Sequence, residues 1–115
     1  NADKLIKIMP KIDQKPFKDL KVKEMFIADI KESLRQGGNG VAQDDIITNS
    51  AWGFDIRDVQ TTFDIWHGDK DKNVPINQGL YQAKMLPNSQ LHLVKGKGHM
   101  LLLHEWKNIL VELVK

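Results

Sequence analysis

Apolar residues recur at the spacing of an amphipathic helix in three segments of the chain. The first segment lies between Phe17 and Gln36, and the glycine pair at 37–38 favours termination of a helix there. The second begins at Pro75, a residue that the first turn of a helix tolerates, and stops at Pro87. The third covers the end of the chain, and its apolar positions are Leu102, Trp106, Ile109, Leu110 and Leu113.

Two short segments between these helices have the composition of β-strands. Residues 61–66 are rich in β-branched and aromatic side chains, and residues 90–94 form a second such run. The order helix-strand-helix-strand-helix predicts an α/β fold in which three main helices accompany two parallel strands joined by a right-handed crossover. Because two strands are too few for a complete parallel sheet, we predict an incomplete sheet.

The domain organisation follows from the same pattern. Residues 1–16 contain two prolines and no clear period, so we predict an irregular lead-in, either a tag scar or the remnant of a lid. Residues 17–115 are expected to form one unit, in which residues 37–60 are loop or short helix. The three tryptophans, at 52, 66 and 106, are expected in the core. The chain starts with Asn1 rather than methionine, so we expect the natural start to lie upstream.

Composition narrows the possible partners and the compartment. The chain has no cysteine, which excludes disulfides and thiolate metal sites. Its 17 basic and 15 acidic residues give a net charge of +2 and are spread out, so we expect no nucleic-acid partner. No apolar run approaches the length of a membrane span, and no signal peptide is visible. We therefore expect a cytoplasmic protein that does not bind membranes.

The residues suited to chemistry lie in the two loops that follow the predicted strands. The first loop contains Asp71 and the second contains His99. Open α/β sheets place their sites at the carboxyl ends of parallel strands, so these side chains are expected to lie within hydrogen-bond reach. The aspartate would then orient the imidazole and leave its other nitrogen free as a general base.

Metal sites explain these loops poorly. The run that starts at Asp69 begins like a calcium loop, but its sixth and twelfth positions are Val74 and Leu80 instead of glycine and glutamate. His99 and His104 lack zinc-type spacing and a third ligand. We expect neither a metal nor a cofactor.

Four motifs together are similar to the C-terminal part of the α/β-hydrolase family. They are Trp52-Gly53-Phe54-Asp55-Ile56, Ile65-Trp66-His67-Gly68-x-x-Asp71-x-x-Val74-Pro75, Leu86-Pro87-Asn88 and Gly98-His99-Met100. The resemblance covers roughly residues 17–115 and implies a hydrolase of ester or amide bonds that works through a Ser-His-Asp triad. It implies that Asp71 is the triad acid and His99 the triad base; Asp69 is the nearest alternative acid, and the offset from Gly68 favours Asp71.

The resemblance also indicates what the chain lacks. No Gly-x-Ser-x-Gly elbow is present, so the chain would supply the acid and the base but not the nucleophile, and it should be inactive alone. Val74 and Met100, close to the acid and the base in sequence, are expected to bind a small ester or amide substrate. The alternative is a non-catalytic self-associating or binding module with a vestigial acid-base pair. In either case, we expect a homodimer formed through the exposed strand edge at 62–66.

Overall fold

The computed structural model describes residues 2–114, and within them the chain has a mixed α/β fold with an incomplete sheet. No helix in this range is long and apolar enough to cross a membrane. The elements are α1 (Ala2–Ile8), α2 (Leu20–Ser33), α3 (Asn39–Thr48), β1 (Phe63–Gly68), α4 (Ile76–Met85), β2 (Ser89–Val94) and α5 (Leu102–Leu113).

The predicted helix-strand-helix-strand-helix order is confirmed by α2, β1, α4, β2 and α5, but α3 is an additional helix of 10 residues in the segment predicted to be loop or short helix, and the lead-in also differs from the prediction. Residues predicted to be irregular contain α1, a helix of 7 residues. Two helical turns are too few to establish a period in the sequence, which is why the pattern did not predict this helix. Helix α2 is shorter than predicted because the Asp19 side chain caps it, accepting a 2.9 Å hydrogen bond from the amide of Lys21. Phe17 precedes this cap and packs on Phe26, with ring centroids 4.8 Å apart.

The two strands pair in parallel, and Phe63 and Gly68 of β1 lie opposite Ser89 and Val94 of β2. Helix α4 provides the crossover and packs against both strands. At this interface the buried His67 side chain lies against Gly79 of the helix. The sheet of the described residues contains only these two strands, so each has an edge without a strand partner.

The buried apolar core of the described residues is small. Its buried members are Ile6, Phe17, Leu86 and Leu101. Trp52 and Trp106, which were expected in the core, are 56% and 49% exposed, so that prediction is wrong for these two residues. The reason is that no element of residues 2–114 covers them.

The accessible surface confirms that burial is incomplete. The chain exposes 8848 Å², roughly 2,400 Å² more than the ~6,400 Å² typical of a compact monomer of this mass. Its radius of gyration is 16.0 Å, against about 13 Å for a compact domain of this length. The exposed apolar side chains therefore belong to a chain that buries less of its surface than a compact monomer of this size.

The close packing between α4 and β1 yields a prediction with a matched control. A Cβ added at Gly79 would lie 2.9 Å from Nδ1 of the buried His67, whereas a Cβ at Gly40 in α3 would meet nothing within 4 Å. We expect Gly79→Ala to destabilise the protein by about 1–3 kcal/mol through overpacking. We expect Gly40→Ala to be neutral or to stabilise it by up to about 1 kcal/mol, because alanine is the better helix former. Urea unfolding measures both, and a gain in stability from both variants would contradict the packing described here.

A candidate acid-base site at the carboxyl ends of the strands

The strand register brings the two loops together. Beyond Gly68, the amide of Asp69 donates to the carbonyl of Val94 at 3.1 Å, and the amide of Lys70 donates to the carbonyl of Lys97 at 2.8 Å. The loops approach so closely that a Cβ at Gly68 would overlap the Lys97 carbonyl. Glycine at this position therefore allows the first loop to lie directly against the second.

Asp71 is fixed by its own turn. Its Oδ1 accepts hydrogen bonds from the amides of Asn73 (2.8 Å) and Val74 (2.9 Å), and its Oδ2 lies 3.0 Å from Nδ1 of His99. The side chain is only 6% exposed. Burial by itself would raise the pKa of Asp71, but the Val74 amide, the His99 imidazole and the Asn73 amide outweigh it and lower the pKa below its ordinary value. The group is therefore held as a carboxylate.

His99 opens the short turn that leads into α5. Its Nδ1 donates to the Asp71 carboxylate, which leaves Nε2 as the lone-pair nitrogen when the ring is neutral. Nε2 has no hydrogen-bond partner among residues 2–114, and the side chain is 38% exposed. The predicted proximity of Asp71 and His99 is thus observed, with one ring nitrogen held and the other accessible.

An apolar groove of about 710 Å³ adjoins His99. Met100, one of the two residues predicted to bind substrate, lines it. The other lining residues come from α2 and the start of α5, and they are Met25, Phe26, Ala28, Asp29, Glu32, Leu102 and Leu103. The groove therefore brings the His99 side chain together with a mostly apolar wall.

Val74 and Asp69, which the sequence offered as site residues, are not hydrogen-bonded to His99 and do not line the groove. Val74, predicted to bind substrate, does not line this groove; its carbonyl accepts from Nε2 of His67 at 3.1 Å, so it ties the Asp71 turn to β1. Asp69, the alternative acid, accepts a 2.6 Å hydrogen bond from the amide of Gly96 and holds the second loop. Asp71 is thus the one of the two aspartates that contacts His99.

A second histidine-aspartate pair lies within the strands. Nε2 of His92 is 2.6 Å from Oδ1 of Asp64, and the His92 ring stacks on Trp66 at 4.3 Å between centroids. These residues occupy strand positions rather than the loops after the strands. The stacked ring face and the bonded nitrogen both serve cross-strand contacts here, so this pair stabilises the sheet.

A larger groove, of about 1060 Å³, lies elsewhere, between residues 48–56 and the first turns of α4. Trp52, Phe54 and Tyr81 line it. Its carboxylate, Asp55, is bound to Arg57, and the Ser50 hydroxyl donates to the carbonyl of Ile46. No acid-base pair faces this space in the described chain, so we place the candidate site at the smaller groove beside His99.

Sequence reasoning missed Asp13, which belongs to the site's supporting structure. This residue of the lead-in is 2% exposed, and its Oδ1 accepts a 2.9 Å hydrogen bond from the amide of Met100. The contact joins residues 87 positions apart. No local pattern reports such a contact, and only the close approach of the two segments reveals it.

The lowered pKa of Asp71 predicts a specific pH dependence of stability. A carboxyl whose pKa is lower in the folded state stabilises the fold above its unfolded pKa, about 3.9, and this stabilisation is lost as the pH falls through the folded value. Asp71→Asn keeps an oxygen acceptor for the turn but cannot ionise. We expect the variant to be less stable than the wild type at pH 6.5 and to approach it below pH 4.

Urea unfolding at a series of pH values measures this difference. The other carboxyls titrate equally in both proteins, so the difference between the two curves isolates Asp71. A difference in unfolding free energy that does not change from pH 6.5 to pH 3 would contradict the assignment.

Comparison with known proteins adds no relative: no protein-family description, curated protein or solved structure matches this chain. The resemblance to α/β-hydrolases therefore remains a proposal, supported by the motifs and by the arrangement of Asp71 and His99.

Proposed function

We propose that this chain contributes the acid and the base of an ester- or amide-hydrolysing site of the α/β-hydrolase type. The observation that carries the proposal is the 3.0 Å contact between Asp71 Oδ2 and His99 Nδ1, in a histidine that also lines an apolar groove. An oriented imidazole with one accessible nitrogen is the arrangement that general-base catalysis requires.

In the proposed reaction, Nε2 of His99 takes the proton of an attacking hydroxyl and later donates it to the leaving group. Asp71 keeps the proton of the neutral ring on Nδ1, and it stabilises the imidazolium that forms when Nε2 is protonated. Its lowered pKa supports this role, because the carboxylate stays charged throughout the cycle.

The groove supports a substrate with an apolar acyl or alkyl group. Met25, Phe26, Leu102 and Leu103 offer aliphatic and aromatic surface within the same space as His99. A chain of several methylenes buried there would gain about 0.8 kcal/mol for each CH₂ removed from water. We therefore infer a preference for medium-length acyl esters over acetate esters.

The nucleophile is proposed to come from a segment outside these 115 residues. The groove lining contains no serine, threonine or cysteine among the described residues. The three serine hydroxyls donate elsewhere: Ser33 to the carbonyl of Ile30, Ser50 to that of Ile46, and Ser89 to those of Ala83 and Leu86. None of them is available to His99.

Kinetics of the natural protein test this function. We expect the chain alone to hydrolyse p-nitrophenyl octanoate no faster than buffer. A protein that carries the same chain behind a strand–Gly-x-Ser-x-Gly–helix segment should turn it over. In that protein, His99→Ala should lower kcat by about 10³-fold or more, because it removes the general base. Asp71→Asn should lower kcat by about 10⁴-fold, because the imidazole then adopts the wrong tautomer.

His92→Ala is the matched control, since it removes the histidine of the other histidine-aspartate pair. It should leave kcat within a few-fold of the wild type in molecules that remain folded. Turnover by the chain alone that depends on His99, or equal losses from His92→Ala and His99→Ala in folded protein, would overturn the proposal.

A second candidate function is self-association, favoured by the open strand edge. The amides of Phe63 and Asp69 donate toward β2, so the alternation of the strand turns the amides of Asp64 and Trp66 to the unpaired edge. A stable dimer buries about 800 Å² on each partner, and the excess surface of the chain far exceeds this area. We propose a homodimer of the isolated chain formed through this edge.

Light scattering of two variants at the same position tests the dimer. Asp64→Ala and Asp64→Pro both lose the side-chain contact with His92, but only Asp64→Pro also removes the edge amide, and it does so without costing a backbone hydrogen bond to β2. We expect the wild type and Asp64→Ala to be dimers and Asp64→Pro to be monomeric. A monomeric wild type, or a dimer that persists in Asp64→Pro, would refute pairing through this edge.

A further inference from the structure

Asp13 is the most deeply buried polar residue of the described chain, and the proposed reaction does not use it. It lies in a turn after α1, where its amide donates to the carbonyl of Pro10 at 2.8 Å. This turn directs the side chain across the molecule to the loop after β2. One oxygen, Oδ1, accepts from the amide of Met100, and the other, Oδ2, has no hydrogen-bond partner among residues 2–114.

The Asp13 carboxylate touches the backbone on both sides of His99. It accepts from Met100 on one side, and on the other it lies so close to Gly98 that a Cβ there would overlap it. The side chain therefore restrains the loop at the two positions that flank the imidazole. Glycine at position 98 is what leaves room for this contact.

The contact supplies a cap that the local sequence lacks. The turn His99–Leu101 leads directly into α5, and the residue at its start, Gly98, offers no side-chain hydrogen bond. The first amides of a helical segment have no partner within it. Asp13 accepts from one of these amides, that of Met100, as an N-cap aspartate does, but it does so from a distant part of the chain.

A carboxylate is a costly group for this position. Burial of a charged or polar oxygen without a partner is unfavourable, and Oδ2 is in that situation. An apolar side chain would fill the space at lower cost but would leave the Met100 amide without its acceptor. The hydrogen bond to the turn is thus the feature that distinguishes aspartate from an apolar residue here.

We propose that Asp13 is a positioning residue for His99, a role that rests on the proposed function of that histidine. By capping the turn, it fixes the His99 backbone so that Nδ1 meets Oδ2 of Asp71 and Nε2 stays at the groove. Without the cap, the turn frays, the Nδ1 contact is lost and the ring adopts the tautomer it prefers in water.

The test is the tautomer of His99 in the full chain, read from long-range ¹H–¹⁵N spectra at a pH where the ring is neutral. We expect His99 to carry its proton on Nδ1 in the wild type. Asp13→Asn keeps an oxygen acceptor and should retain this state, whereas Asp13→Leu should lose the Nδ1–H signal in favour of Nε2–H. Retention by Asn and loss by Leu show that the hydrogen bond positions the ring.

Two controls separate positioning from general destabilisation. Asp19→Leu removes an equivalent 2.9 Å carboxylate-amide bond at the start of α2 and should leave the His99 tautomer unchanged. The His92 signals report in the same spectra whether the sheet is intact. If Asp13→Leu does not fold, Gly98→Ala provides the second variant, because its Cβ displaces the carboxylate and should also abolish Nδ1–H.

The proposal is overturned if folded Asp13→Leu or Gly98→Ala keeps the wild-type His99 spectrum, or if Asp13→Asn loses Nδ1–H as completely as Asp13→Leu. These measurements need no turnover. A failure of the hydrolase proposal, seen as absent hydrolysis, is therefore distinguishable from a failure of the role of Asp13.

Discussion

The parallel pairing of β1 with β2 is the constraint on which the rest of the structure depends. Its register sets Gly68 opposite Val94, so both strands end at the same level and release their loops toward the same side. The hydrogen bonds between the loops, the Asp71 turn and the position of His99 all follow from that alignment. A slip of one residue would exchange the faces of the strand and separate the acid from the base.

The same sheet also explains why the chain resembles part of a larger protein. Parallel sheets are ordinarily covered on both faces and extended by further strands, yet here two strands carry the sheet with open edges. The excess accessible surface and the half-exposed Trp52 and Trp106 accompany this incomplete sheet. Under the functional proposal, one further segment would both cover this surface and supply the nucleophile, which is why we link the two.

Local sequence patterns predicted those parts of the fold that depend on nearby residues. The periodicity of α2, α4 and α5, the composition of the strands and the two loop positions were sufficient to predict the α/β order and the contact between Asp71 and His99. The pattern did not predict contacts that depend on distant segments. Asp13 lies in a stretch without periodicity, and its partner is 87 residues away.

The exposure of large apolar residues was unpredictable for a related reason. Side-chain character at Trp52 and Trp106 indicates a preference for burial, but the sequence does not say whether another element is present to cover them. Val74 shows the converse: its backbone, rather than its side chain, gives it a role, because its amide is bonded to Asp71 and its carbonyl to His67. Such backbone roles do not depend on residue type and leave no mark in the sequence.

Covalent labelling of the natural protein tests the central claim most directly. Treatment with a fluorophosphonate, followed by peptide mass spectrometry, locates the nucleophile that His99 serves. The account predicts a single adduct on the serine of a Gly-x-Ser-x-Gly peptide that precedes residue 1, and loss of that adduct in His99→Ala. An adduct within residues 1–115, or labelling that does not depend on His99, would contradict it.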